Sequence, residues 1–173
     1  MHYYALALIP TNDKRDIKQA IEEIMAPYDE NLELPVPMSR PCYCSKYQLD
    51  HKPEHDCEEC QGTGTATNTR NPRGYWDWFE IGGRWNDAIP GNVESVAKVG
   101  DRLPYTLITP DGGWYSKKDL EDSSWLYAKW TDEERKAYIA QADAKTQAAW
   151  DIKAKRILEA SKDCIAVVVD YHV

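Results

Sequence analysis

The chain has 173 residues and a formal net charge of −8, a length that suits one domain with a real core rather than two. So acidic a chain argues against general binding to a phosphate backbone, which depends on Lys and Arg. Seven Trp and eleven Tyr stand against one Phe, so nearly all the aromatic surface carries a polar group suited to half-buried and interface positions.

Tyr3–Ile9 is an unbroken apolar run ended by Pro10, the pattern of a buried strand. Thr11, Asn12 and Asp13 are candidate N-caps for a helix whose Ile17, Ile21, Ile24 and Met25 share one face and which Pro27 stops. Leu32–Pro37, with its prolines, predicts an extended path at a sheet edge. Gly62–Asn71, rich in Gly, Thr and Asn, reads as loop. Trp76–Ile81 predicts a short strand halted by Gly82-Gly83, and Tyr105–Thr109, Pro110–Gly113 and Trp114-Tyr115 read as strand, turn and strand. Thr131-Asp-Glu-Glu134 is a capping box opening a helix to about Ser161; its Ala-rich stripe leaves a break near Asp143–Thr146 open. Cys164–Asp170 closes the chain as a second buried strand. The two most apolar strands are the first and the last and should be central neighbours. This order predicts an α+β fold, a ferredoxin-like plait with an inserted zinc-binding loop and a long C-terminal helix. We expect a single domain over 1–173, with 41–74 as the insertion.

Four of the five cysteines, Cys42, Cys44, Cys57 and Cys60, form two close pairs. Such pairs let sulfurs converge on one point, and two pairs complete the tetrahedron of a structural Zn²⁺ site. The sequence therefore predicts one structural zinc per chain, with His51 and His55 as alternate ligands inside the loop. Cys57-x-x-Cys60-x-Gly62-x-Gly64 resembles one zinc-binding repeat of the J-domain heat-shock co-chaperones, which supports the metal and carries over no chaperone role. With four thiolates there is no open position for water, so hydrolytic metal chemistry is disfavoured. Cys164 reads as a buried inert thiol.

Tyr75, Trp76, Asp77, Trp78, Arg84 and Trp85 form the most unusual peptide. They read either as packing over the zinc loop, with Arg84 paired to Asp77 or Asp87, or as a stacking surface with Arg84 on an anion. If the terminal strands pair antiparallel, His2, Asp170 and His172 meet at a sheet edge; exposed ends are the plainer reading. No Ser/His/Asp order, P-loop, dinucleotide fingerprint or paired-carboxylate signature is present, which weighs against an enzyme. No apolar run has the length of a membrane span, and residues 1–10 lack the basic segment of an export signal. Close cysteine pairs then point to a reducing compartment, and the cytoplasm is the expected location.

Ala26–Leu32, the Cys-x-x-Cys-x-Gly-Thr-Gly segment, Trp76-Asp-Trp-Phe-Glu-Ile-Gly-Gly-Arg-Trp85, Thr109–Trp114 and the ending Val-Val-Asp170-Tyr-His172-Val resemble a family of uncharacterised bacteriophage-encoded proteins. Glu121–Lys162 lies outside the resemblance. It implies phage origin and action in the bacterial cytoplasm, with no activity to transfer. The expected function is a non-enzymatic, zinc-stabilised accessory protein that binds a host or phage protein, an inhibitor of a host defence system included. The alternative is a nucleic-acid or nucleotide binding or processing protein that uses Tyr75–Trp85.

Overall fold

The computed structural model describes residues 1–42, 44, 57–121 and 131–173. These fall into two compact units, one formed by Met1–Ala26 with Trp78–Val173 and the other by Pro27–Asp77. The expected insertion, 41–74, lies inside the second unit, whose boundaries are wider on both sides.

The first unit is built on a sheet. Strands β1 (His2–Pro10) and β8 (Cys164–His172) pair antiparallel along their whole length, from His2 opposite His172 to Pro10 opposite Cys164. The other edge of β8 carries β4 (Trp78–Ile81) and then β5 (Val93–Ser95), both antiparallel. On the far side of β1 lies β6 (Thr106–Ile108), parallel to it, followed by β7 (Trp114–Ser116) in a hairpin. The terminal strands are thus central neighbours, as their apolar runs predict. The fold is mixed α/β with a sheet core and a long C-terminal helix, but a ferredoxin-like plait is not confirmed. That plait is antiparallel throughout and places the hairpin's second strand beside the first strand; here β1 takes the hairpin's first strand, in parallel, and β7 lies at the edge. β1 is buried on both faces, Leu6 and Leu8 on one and Ala5 and Ala7 on the other, which is why its sequence shows no alternation.

Helix α1 (Ile17–Met25) packs against β1 and buries Ala20, Ile21, Ile24 and Met25. Its N-cap is Asp16, whose carboxylate accepts from Gln19 N at 2.9 Å, and not one of Thr11, Asn12 or Asp13. Asp13 is occupied otherwise, accepting from the Arg15 backbone and guanidinium. Helix α2 (Asp132–Ala160) is continuous, with no break at Asp143–Thr146, and opens on the capping box of Thr131 and Glu134. Thr146, Trp150, Ala154 and Leu158 are its buried residues. The last three join Tyr4, Leu6, Leu8, Leu107 and Val168 in the main core. Trp150 also donates its indole N–H to Pro104 O at 2.7 Å, so the largest core side chain is fully satisfied. Among the described residues no helix is long and apolar enough to cross a membrane.

In the second unit, β2 (Glu33–Pro41) and β3 (Thr65–Arg70) form a two-stranded antiparallel sheet. The extended path predicted for Leu32–Pro37 is observed, whereas most of the segment read as loop is strand. Thr65, Thr67 and Thr69 alternate on the exposed face around buried Ala66, and their β-branching suits a pleated backbone better than a loop. The ends of the unit are tied by Glu30 N to Trp76 O (2.9 Å), Tyr75 N to Tyr28 O (2.8 Å) and a stack of Tyr28 on Tyr75.

Candidate functional site

β2 ends at Pro41 and delivers Cys42, whose N–H donates to Gly64 O at 2.8 Å just before β3 begins. The turn Cys57–Cys60 is closed by Gln61 N to Cys57 O (2.7 Å) and Thr63 N to Cys60 O (2.9 Å), with the Thr63 hydroxyl adding a 2.6 Å bond to the same carbonyl. Gly62 (φ 81°) and Gly64 (φ 73°) take the left-handed backbone needed to swing the chain from this turn into the strand.

The result is convergence of all four expected thiols. The Sγ atoms of Cys42, Cys44, Cys57 and Cys60 lie within 4.8 Å of one another, with Cys42–Cys57 at 3.6 Å and Cys44–Cys60 at 3.4 Å. Cys42 and Cys60 are buried against Ala66. Burial pushes the Cys42 thiol up. At Cys60 burial acts the same way but is outweighed by hydrogen bonds from the Cys44 thiol, the Gly64 backbone and the other two thiols, which bring it down to about 7. Glu59 accepts from Cys42 Sγ at 3.3 Å and is ion-paired to Arg40. The group is a closed set of four soft donors that can hold a metal ion. His51 and His55 lie outside the described residues.

The first unit assembles a second constellation. Exposed ends do not describe it: His2 is half-buried, its Nδ1 3.0 Å from Oδ1 of Asp170, which is 1 % exposed. The other carboxylate oxygen accepts from Arg84 N at 2.9 Å. The His172 ring stands 5.2 Å from that of His2 and Trp78 5.8 Å, both edge-on. Gly82 N donates to Val168 O at 2.9 Å and turns the chain around this carboxylate. At Gly83 (φ 53°) a Cβ would fall 2.6 Å from the Asp170 side chain. The Ile-Gly-Gly-Arg-Trp peptide is therefore a clamp on Asp170, and what Arg84 brings to it is its backbone N–H. An imidazole held at Nδ1 by a buried carboxylate is fixed in orientation, with Nε2 left for another partner.

The six residues of the aromatic segment divide between the units. Tyr75, Trp76 and Asp77 belong to the second, and Trp78, Arg84 and Trp85 to the first. Tyr75 stacks on Tyr28, Trp76 pairs with Asp29 as an isolated parallel bridge, Trp78 is 45 % exposed, and Trp85 packs on the main core beside Tyr4. The link between Gly83 and Asp170 could not be read from the sequence, because the two are far apart along the chain. The hint was there in the paired glycines before Arg84 and in an Asp within a buried strand. Compared with family models, with curated proteins and with solved structures, the chain matches none.

Proposed function

We propose that this chain is a non-enzymatic, zinc-stabilised accessory protein in which the Cys42, Cys44, Cys57 and Cys60 site holds the Pro27–Asp77 unit in shape for binding another protein. The observation that carries the reading is the thiol geometry. A tetrahedron with Zn–S bonds of about 2.3 Å has S–S edges of about 3.8 Å, and the two closest sulfur pairs stand at 3.6 and 3.4 Å. Four thiolates would fill the coordination shell and leave no place for a water nucleophile, so the ion's role is structural. Leu32, Met38 and Tyr75, all exposed on the same unit, supply apolar surface for a partner, as the Trp and Tyr content of the chain suggests. On the resemblance above, that partner is a protein of a phage or its bacterial host, a defence component included, met in the host cytoplasm.

Native mass spectrometry and elemental analysis of protein purified without added metal test the reading. One zinc per chain is expected, lost in both Cys57→Ser and Cys60→Ser. Full metal content in both variants would overturn the four-thiol assignment, and another metal would overturn zinc. The alternative, nucleotide binding through Tyr75–Trp85, is favoured at one residue, Trp85.

A further inference from the structure

Trp85 lines a cavity of about 370 Å³ in the first unit, within the size range of small-molecule sites. Its lining is unusual for a chain of net charge −8. Arg102, Lys117 and His2 contribute to the wall, and among the described residues no carboxylate does. Arg102 is exposed and, among the described residues, neither it nor Lys117 forms an ion pair; Lys117 Nζ donates to the neutral Gln147 Oε1 at 2.8 Å. Two cations without ion pairs thus line the wall, while the Asp170 and Glu121 carboxylates stand behind it on His2 and Tyr105.

The rest of the wall is aromatic apart from Leu103, Pro104 and Gln147, and contains buried donors without acceptors among the described residues. Tyr3 lies against Tyr105 and Tyr171 with centroids 4.7 and 5.3 Å apart, and Tyr4 on Trp85 at 5.6 Å, so aromatic rings form much of the lining. Tyr4 Oη and Trp85 Nε1 are shut away from solvent and have no hydrogen-bond partner among the described residues. Tyr4 is 6 % exposed, and its burial, opposed by the nearby Arg102, pushes the phenol up to about 12, so it stays a neutral donor. Buried donors are nearly always paired, and an unpaired one costs about 1–3 kcal/mol. A ligand acceptor would supply the partner that no described residue provides.

We propose that this cavity binds a nucleoside monophosphate, free or at the end of a nucleic-acid strand, with the base against the aromatic part of the wall and the phosphate at Arg102 and Lys117. Phosphate fits better than carboxylate, because its additional oxygens and charge match two cations and the further donors Tyr4 and Trp85. The metal reading is independent of this one and is tested by different residues.

Calorimetric titration of the metal-loaded, full-length protein with AMP and CMP, and with adenosine and cytidine, tests the proposal. The monophosphates should bind, the nucleosides roughly tenfold or more weakly, and Arg102→Ala or Lys117→Ala should each weaken AMP by roughly tenfold, as loss of a charge-assisted contact predicts. Tyr4→Phe keeps the ring and should also weaken AMP; circular dichroism confirms that each variant is folded. Competition by short single strands bearing a terminal phosphate, and none by hydroxyl-ended strands, would identify a strand end as the source. Competition by neither would identify the free nucleotide. No binding of AMP or CMP at millimolar concentration, equal binding of AMP and adenosine, or AMP binding unchanged in both Arg102→Ala and Lys117→Ala would overturn the proposal.

Discussion

Asp170 is the residue on which the first unit turns. Its carboxylate lies in the last strand with almost no exposure, and a buried charge is tolerated only when partners replace water. One oxygen has the His2 imidazole and the other the Arg84 N–H. Gly83 makes the second contact possible, since any side chain there would overlap the carboxylate and would also meet a φ of 53°. Gly83→Ala should therefore destabilise the protein by about 2–4 kcal/mol, as strain and a displaced buried charge are combined. Urea unfolding measures this, and a loss under about 0.5 kcal/mol, the level of an ordinary surface change, would show that the clamp is loose. The same change should perturb the His2 ring signals in NMR spectra, because the imidazole takes its orientation from Asp170.

At the scale of elements, the clearest local signal was the capping box of α2. Thr131 Oγ1 accepts from Glu134 N at 3.2 Å, and Glu134 accepts from Thr131 N at 2.9 Å. The backbone N–H of Thr131, then its hydroxyl, hold the Glu134 carboxyl below its ordinary value. The sign follows: this contribution is present above the unfolded-state pKa and is lost as pH falls through the lower folded value. Thr131→Ala should cost about 1 kcal/mol at neutral pH, and the gap from the parent protein should narrow in acid as Glu134 protonates. Thermal unfolding at neutral and acid pH reads this, and an equal gap at both would show that the Thr131 hydroxyl does not act on the Glu134 carboxylate. Such caps are legible because all their atoms lie within one turn of chain. Strand β3 was not, since Gly62–Asn71 has the composition of a loop and only the alternation of Thr65, Thr67 and Thr69 around Ala66 betrays its pairing with β2. The N-cap of α1 was missed for a similar reason: four neighbouring residues could cap it, and the Arg15 contact that removes Asp13 is a matter of side-chain geometry.

Over the whole molecule, the two units have different sources of stability. The first buries a continuous apolar core of strands and α2. The second has a two-stranded sheet whose buried cluster is Cys42, Cys60 and Ala66 with the two half-buried cysteines. Two strands without a larger apolar face are marginal in water, so a bound ion would supply most of the folding free energy there. Chelation should raise hydrogen exchange through Pro27–Asp77 while amides of β1, β6 and β8 stay protected. Uniform loss of protection in both units would refute this division, and unchanged exchange in the second would show that it holds its shape without metal.

The sequence by itself determined the central pair of strands, the long C-terminal helix and the four-thiol set. Each is written in a local period or spacing: unbroken apolar runs, a capping box, close cysteine pairs. Tertiary structure alone decided the parallel seating of β6 on β1, the Gly83 clamp on Asp170, and the basic, aromatic cavity bounded by His2, Trp85, Arg102 and Lys117. Their members come from distant parts of the chain, and no local pattern encodes which side chains a folded sheet will bring face to face.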